Sequence, residues 1–179
     1  MRTIAGQLRH WAHDDRAIAS IEFAIMAPAL AALLLASVTF FTFVRASVTS
    51  EKATFTVGDL ISRQTTVDNA FLDQMSQTFR HLVPGNDETT RFRITSVTKA
   101  NKVLTVNWSY AVAPMLAMTA ATIPVSALPD IAEGDSLVLT ETTVPAVPLS
   151  PVFNFLPGHH SNLSANRPRF TATINRMSY

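Results

Sequence analysis

Glu22 is the residue whose type and position ask for chemistry. It stands in the stretch from Ala17 to Pro28, AIASIEFAIMAP, at the mouth of an apolar run. From Phe23 to Val44 there is no Asp, Glu, Lys, Arg or His, and Ala17 through Ile21 are uncharged as well. Taken as one helix from Ala17 to Phe43, the segment places Glu22 more than one turn inside. A charged side chain within a bilayer is strongly disfavoured, and an acid found there is by default a functional group. The plainer alternative puts Glu22 at headgroup level, near the positive end of the helix dipole, where an anion is stabilised. The residues alone leave both readings open.

The other reactive residue types are weaker candidates. His159 and His160 sit in Pro157-Gly158-His159-His160-Ser161-Asn162, which reads as a solvated loop. Adjacent histidines diverge on a strand and need further ligands to make a metal site. His81 falls on a predicted amphipathic helix, as a surface or boundary residue. Asp130, Glu133 and Asp135 cluster before a predicted strand, but without the glycine of an EF-hand loop they assign no calcium. Trp108 and Tyr110 share one strand face and read as core. Arg167, Arg169 and Arg176 are too sparse for a nucleic-acid stripe. There are five Gly, no Gly-rich phosphate loop, no Gly-x-Ser-x-Gly elbow and no His-Glu-x-x-His, so the expectation is no enzyme, no metal and no cofactor. Zero Cys removes disulfides and thiolate chemistry.

Those residues need elements to hold them, and the composition says where the elements lie. The chain has 179 residues, 14 Lys+Arg against 13 Asp+Glu, 47% hydrophobic residues and 15% charged ones. Near-neutral charge argues against electrostatic nucleic-acid binding, and the apolar content argues against disorder. One segment absorbs the excess. The 22 residues Phe23 to Val44 make a helix about 33 Å long, against a hydrocarbon core about 30 Å thick. Pro28, Ser37, Thr39 and Thr42 are tolerated in such a helix, and Arg45 ends it. The expected division is a leader at 1–17, a membrane-spanning helix at 18–45 and a head at 46–179. A buried core helix would need an apolar layer on every face, which the remaining chain is too polar to supply. A cleaved secretory signal, cut near Ala36-Ser37, is the other competitor. It fits poorly with a leader containing Asp14 and Asp15 and with so long an apolar run. Arg2, Arg9 and Arg16 before the run match Arg45, Lys52 and Arg63 after it, so the positive-inside rule does not orient the helix. A short leader inside and a long folded domain outside is the simpler arrangement.

Beyond Arg45 the helical pattern continues for a while, weakened by Gly58 and Thr65-Thr66. Phe71, Leu72, Met75, Phe79 and Leu82 then mark one face of an amphipathic helix that Pro84-Gly85 ends. The period switches to two at Arg91–Val97, a turn follows at Lys99–Lys102, and Val103–Tyr110 returns as the second arm of a hairpin. Ser136–Val144 reads as a third strand, stopped by Pro145, Pro148 and Pro151. Arg169–Ile174 reads as a fourth. Residues 111–135 hold Pro114, Pro124 and Pro129 and read as a crossing loop. The fold class is α+β: a long N-terminal helix, membrane-spanning in its first half, followed by a small antiparallel sheet in two layers.

Ala17 through Pro28, with Glu22 followed by Phe23 and by Pro28 six residues on, resembles the N-terminal region of TadE-like proteins. These are minor pseudopilins of the tight-adherence (Tad/Flp) pilus system. The resemblance is carried by residues 14–45; the remainder is similar only in size and layout. It implies a pilin-like protein of the bacterial inner membrane, single-pass, with the C-terminal domain periplasmic. It implies that prepilin peptidase cuts between Ala17 and Ile18, although Ala17 stands where such prepilins usually carry Gly, which leaves an uncleaved form open. Glu22, then the fifth residue, would neutralise an N-terminal amine of a neighbouring subunit and set the register of adjacent helices. Phe23 belongs to the same motif, and Pro28 would let the helix bend. The implied partners are the lipid bilayer, other pilins and pseudopilins, Tad assembly proteins and prepilin peptidase, with no nucleic acid. A single-pass anchored periplasmic binding or sensor module unrelated to pili, with Glu22 incidental, is the alternative.

Overall fold

The computed structural model describes residues 15–84, 89–146 and 158–177. The leader up to residue 14, Gly85, Pro148 and Pro151 lie outside the described residues. Helix α1 (Asp15–Ser62) runs for 48 residues with Pro28 inside it. Ala19–Ser62 is long and apolar enough to cross a membrane. Within the apolar stretch the hydroxyls turn back on the helix itself: Ser37 donates to the Leu33 carbonyl at 2.9 Å and Thr42 to that of Thr39 at 2.9 Å. Such back-bonding satisfies a hydroxyl where no water is at hand. The chain divides into two compact units, Met1–Thr42 and Phe43–Tyr179. The second is the head, and it takes in the last turns of α1.

After α1 the head contains β1 (Thr66–Val67), α2 (Asn69–Leu82), β2 (Arg91–Ala100), β3 (Val103–Val112), β4 (Ser136–Pro145), β5 (His159–Asn166) and β6 (Asn175–Arg176). Four strands form an antiparallel sheet in the order β3-β2-β4-β5, and β1 pairs with β6 in parallel. The fold is therefore α+β. Helix α2 starts where Asp68 accepts from the Phe71 N–H at 2.7 Å, the usual N-cap exchange. It ends at an extended Val83 ahead of Pro84, as the ring of a following proline requires. Leu72, Ser76 and Phe79 are its buried face. Leu82, expected on that face, is 45% exposed, and Val83, just past the helix, takes the last core position instead.

The hairpin turns at Asn101 and Lys102, both with positive φ (53° and 62°), the requirement of a type I′ turn. Ser96 pairs with Trp108 but Val97 pairs with Val106, so Asn107 is an extra residue in β3. This bulge flips the strand's facing. Trp108, Tyr110 and Val112 pack toward the helices, whereas Leu104 and Val106 pack on the opposite side.

Each sheet face has its own core. On one, Val57 and Ile61 of α1 and Leu72 and Phe79 of α2 bury Phe92, Ile94, Val138 and Val144, and the Phe79 and Phe92 rings lie 5.5 Å apart. On the other, Met118, Ile123 and Ile131 from the segment between β3 and β4 cover Val97, Leu137 and Leu139. That segment, expected to be a plain loop, holds two short 3-10 turns (Ala120–Thr122 and Val125–Ala127) and is the cover of the second face. The two layers expected from the sequence thus gain a third.

The expected fourth strand at Arg169–Ile174 is corrected: only Asn175–Arg176 is strand there. The Arg169 N–H is spent on the Ser62 carbonyl at 2.8 Å, and the Ile174 carbonyl accepts from the Trp108 indole N–H at 2.7 Å. Phe170 is 70% exposed while Ile174 is fully buried. The alternation reflects anchoring by one apolar side chain rather than pairing. The fourth place in the sheet belongs to β5, so the loop reading of His159 and His160 is corrected as well.

Candidate functional site

Ala17 and Ile18 lie in the first turn of α1; their side chains are outside the described residues. Glu22 is exposed. Its neighbours are apolar and equally open: Ile21 is 62% exposed, Phe23 72% and Ile25 71%. Among the described residues Glu22 makes no ion pair. Positions 18 and 22 are four apart and so lie one above the other on the same helix face. Pro28 is exposed and has no N–H, so the carbonyl of Ala24 loses its helical donor.

In the head, the other sequence candidates are engaged with one another. Lys99 bridges the Asp130 carboxylate at 2.7 Å and the Ile131 carbonyl at 2.8 Å, and that ammonium holds the Asp130 pKa below its ordinary value. Glu133 accepts from the turn N–H groups of Asn101 and Lys102. Asp135 pairs with Arg167 at 3.3 Å. The three carboxylates fasten a turn and a loop, and each points at a different partner. Arg169 and Arg63 both reach Asp59, Arg63 at 2.7 Å, and the Arg63 hydrogen bond, followed by the charge of Arg169, lowers the Asp59 pKa.

Arg176 donates to the Asn69 side-chain oxygen at 2.6 Å and to the Ser109 carbonyl at 2.9 Å, and its guanidinium lies 6.0 Å from the Tyr110 ring centre. The Tyr110 hydroxyl binds Asp73. Burial, and then Asp73, push the Tyr110 pKa up to about 12. These residues line an open cleft of about 460 Å³ with Met115 and Leu116 at its rim. Sequence reading placed Tyr110 in the core and Arg176 in a sparse basic group. It missed their meeting because β6 returns to β3 over a long separation and Asp73 carries no local signal.

Between α1 and the sheet runs a polar seam. Ser50, Thr54 and Gly58 follow one another at every fourth residue of α1 and face β4 and β5. Asn162 donates to the Ser50 hydroxyl at 2.5 Å, and Thr54 meets Thr142 at 2.7 Å. A Cβ on Gly58 would fall 2.4 Å from the Asn166 amide nitrogen, so glycine sets the approach of helix to strand. His81 is exposed, as expected. His160 is buried, and its imidazole packs on Phe43.

The chain matches no family model, no curated protein sequence and no solved structure.

Proposed function

We propose that this protein is a membrane-anchored, pseudopilin-like assembly component of a Tad-type pilus, with no catalysis of its own. Its α1 would cross the inner membrane once, with the head in the periplasm, and its partners would be other pilins and pseudopilins. The observation that carries the reading is Glu22: an exposed acid with no ion pair among the described residues, set in a ring of exposed apolar side chains on a helix long enough to span a bilayer. In a low-dielectric setting such a carboxylate needs a cation, because an unpaired buried charge is strongly destabilising. A free amine at Ile18, on the same helix face, or its equivalent on a neighbouring subunit, is the cation this reading supplies. Processing between Ala17 and Ile18 creates it. The compact α+β head after the apolar helix also suits a pilin-like layout.

The test is the N-terminus of the membrane-extracted protein, read by mass spectrometry with and without prepilin peptidase. A start at Ile18 that depends on the peptidase supports the reading; an intact Met1 in both contradicts the processing step. The cleft beside Tyr110 favours the second reading, an anchored binding module, in which Glu22 has no partner and the head alone carries function.

A further inference from the structure

His160 is the second residue of β5. Its side chain faces α1, is 7% exposed, and has a buried Nε2 with no hydrogen-bond partner. The imidazole packs on the Phe43 ring, with centroids 4.6 Å apart and planes inclined at 52°. Phe43 is the residue of α1 at which the head begins. Strand β5 is an edge strand of the sheet, paired to β4 alone.

We propose that the His160–Phe43 contact is a proton-operated clasp, which holds the start of edge strand β5 against α1 while His160 is neutral and releases it when His160 is protonated. A neutral imidazole can pack at a tilt against a phenyl ring with one nitrogen unsatisfied at modest cost. An imidazolium in the same place buries an unpaired charge, which is far less tolerable.

Among the described residues no carboxylate pairs with His160. Helix α1 presents the Phe43 ring, and β4 sets Val144 opposite His160; neither titrates. Arg45 of α1 is exposed and sits about 200° around the helix from Phe43. On β5 itself the adjacent titratable group is His159, exposed and able only to add a like charge. Residues 147–157, which lead into the strand, contain no Asp, Glu, Lys, Arg or His. Burial first, and His159 second, hold the His160 pKa below its ordinary value of 6.5. A histidine with a depressed folded pKa favours the neutral form in the fold. Its contribution is complete above the unfolded pKa and falls away as the pH drops below it.

The experiment is hydrogen exchange of the full chain in nanodiscs at pH 7.5 and pH 5.0, expressed as protection factors so that the intrinsic pH effect cancels. In the wild type, protection of the amides of residues 160–162 falls on acidification from pH 7.5 to pH 5.0, the direction that a lowered His160 pKa requires. In His160→Phe the fall disappears, and in His159→Gln it persists. Equal protection of the wild type at both pH values, or an undiminished fall in His160→Phe, overturns the proposal. NMR gives a check that needs no variant: the His160 titration and the Phe43 ring shift must share one midpoint. Titration of His160 with a stationary Phe43 signal also overturns it.

Discussion

The Thr54 hydroxyl lies 2.7 Å from the Thr142 hydroxyl, joining α1 to β4 through two side chains that are 0% and 1% exposed. Thr54 also donates toward the Ser50 carbonyl at 2.8 Å, so the pair is one link of a buried polar seam rather than an isolated contact. Thr54→Val keeps the shape and removes the hydroxyl, leaving that of Thr142 without this partner. Leaving a buried polar group unsatisfied costs about 1–3 kcal/mol, and urea unfolding of the variant should show a loss in that range. The double variant Thr54→Val/Thr142→Val should lose less than the sum of the singles, because the two residues share one bond. Additive losses would mean the hydroxyls do not pair.

Gly58 sits in the interior of α1, where glycine costs about 1 kcal/mol of helix propensity relative to alanine. Its missing Cβ is nonetheless needed: the new atom would lie 2.4 Å from the Asn166 amide nitrogen and 3.1 Å from the Ser164 hydroxyl. Overpacking of this kind costs about 1–3 kcal/mol, which meets or exceeds the propensity gain. Gly58→Ala should therefore destabilise the head or leave it unchanged, and Asn166→Ala in the same chain, which clears the nearest atom, should turn the alanine into a net gain. Thermal unfolding of the two variants decides it; a stabilised single variant would show that the helix is free to move away.

Tyr110 is one of two tyrosines, and its pKa stands at about 12 because it is half-buried and bonded to Asp73. Absorbance at alkaline pH should show a tyrosine midpoint at about 12. Asp73→Asn removes the negative charge that opposes ionisation, so the late midpoint should move down toward 10. If it does not move, Asp73 is not the partner.

Asp59 draws its lowered pKa from Arg63 and Arg169. A carboxylate whose folded pKa is depressed contributes stability that is present above its unfolded pKa, near 3.9, and is lost as the pH falls through the folded value. The wild-type head should lose denaturant resistance between pH 5 and pH 3, and Asp59→Asn should lose less over the same interval. Parallel curves would place the acid sensitivity elsewhere.

How much of this was legible depended on whether neighbours in sequence were neighbours in space. The apolar run, the face of α2 around Leu72 and Phe79, the hairpin and β4 all follow from local periodicity, and each is found where the pattern put it. Strand β5 was not legible because His159-His160-Ser161-Asn162-Leu163-Ser164-Ala165-Asn166 has one large aliphatic residue and no β-branched one. Its inward-facing side chains are polar since they meet Ser50 and Gly58 of α1, not an apolar layer. Arg169–Ile174 misled for the converse reason: its alternation serves a single buried isoleucine. The site at Ala17, Ile18, Glu22, Phe23 and Pro28 was read entirely from sequence; the fold adds that Glu22 and Phe23 are exposed on one long helix, and that Ile18 and Glu22 occupy one face of it. The Asp73–Tyr110–Arg176 group joins three separate elements and carried no local sign.

Glu22→Gln, expressed with the rest of its pilus system, is the sharpest test of the central claim. Gln is nearly isosteric and easier to insert, so the variant should reach the membrane in normal amounts. Co-purification with neighbouring pilins, and surface piliation, should fall to background, since an amide cannot neutralise an N-terminal amine. Normal insertion together with normal assembly would contradict the account and leave Glu22 as a headgroup-level acid on a tethered head.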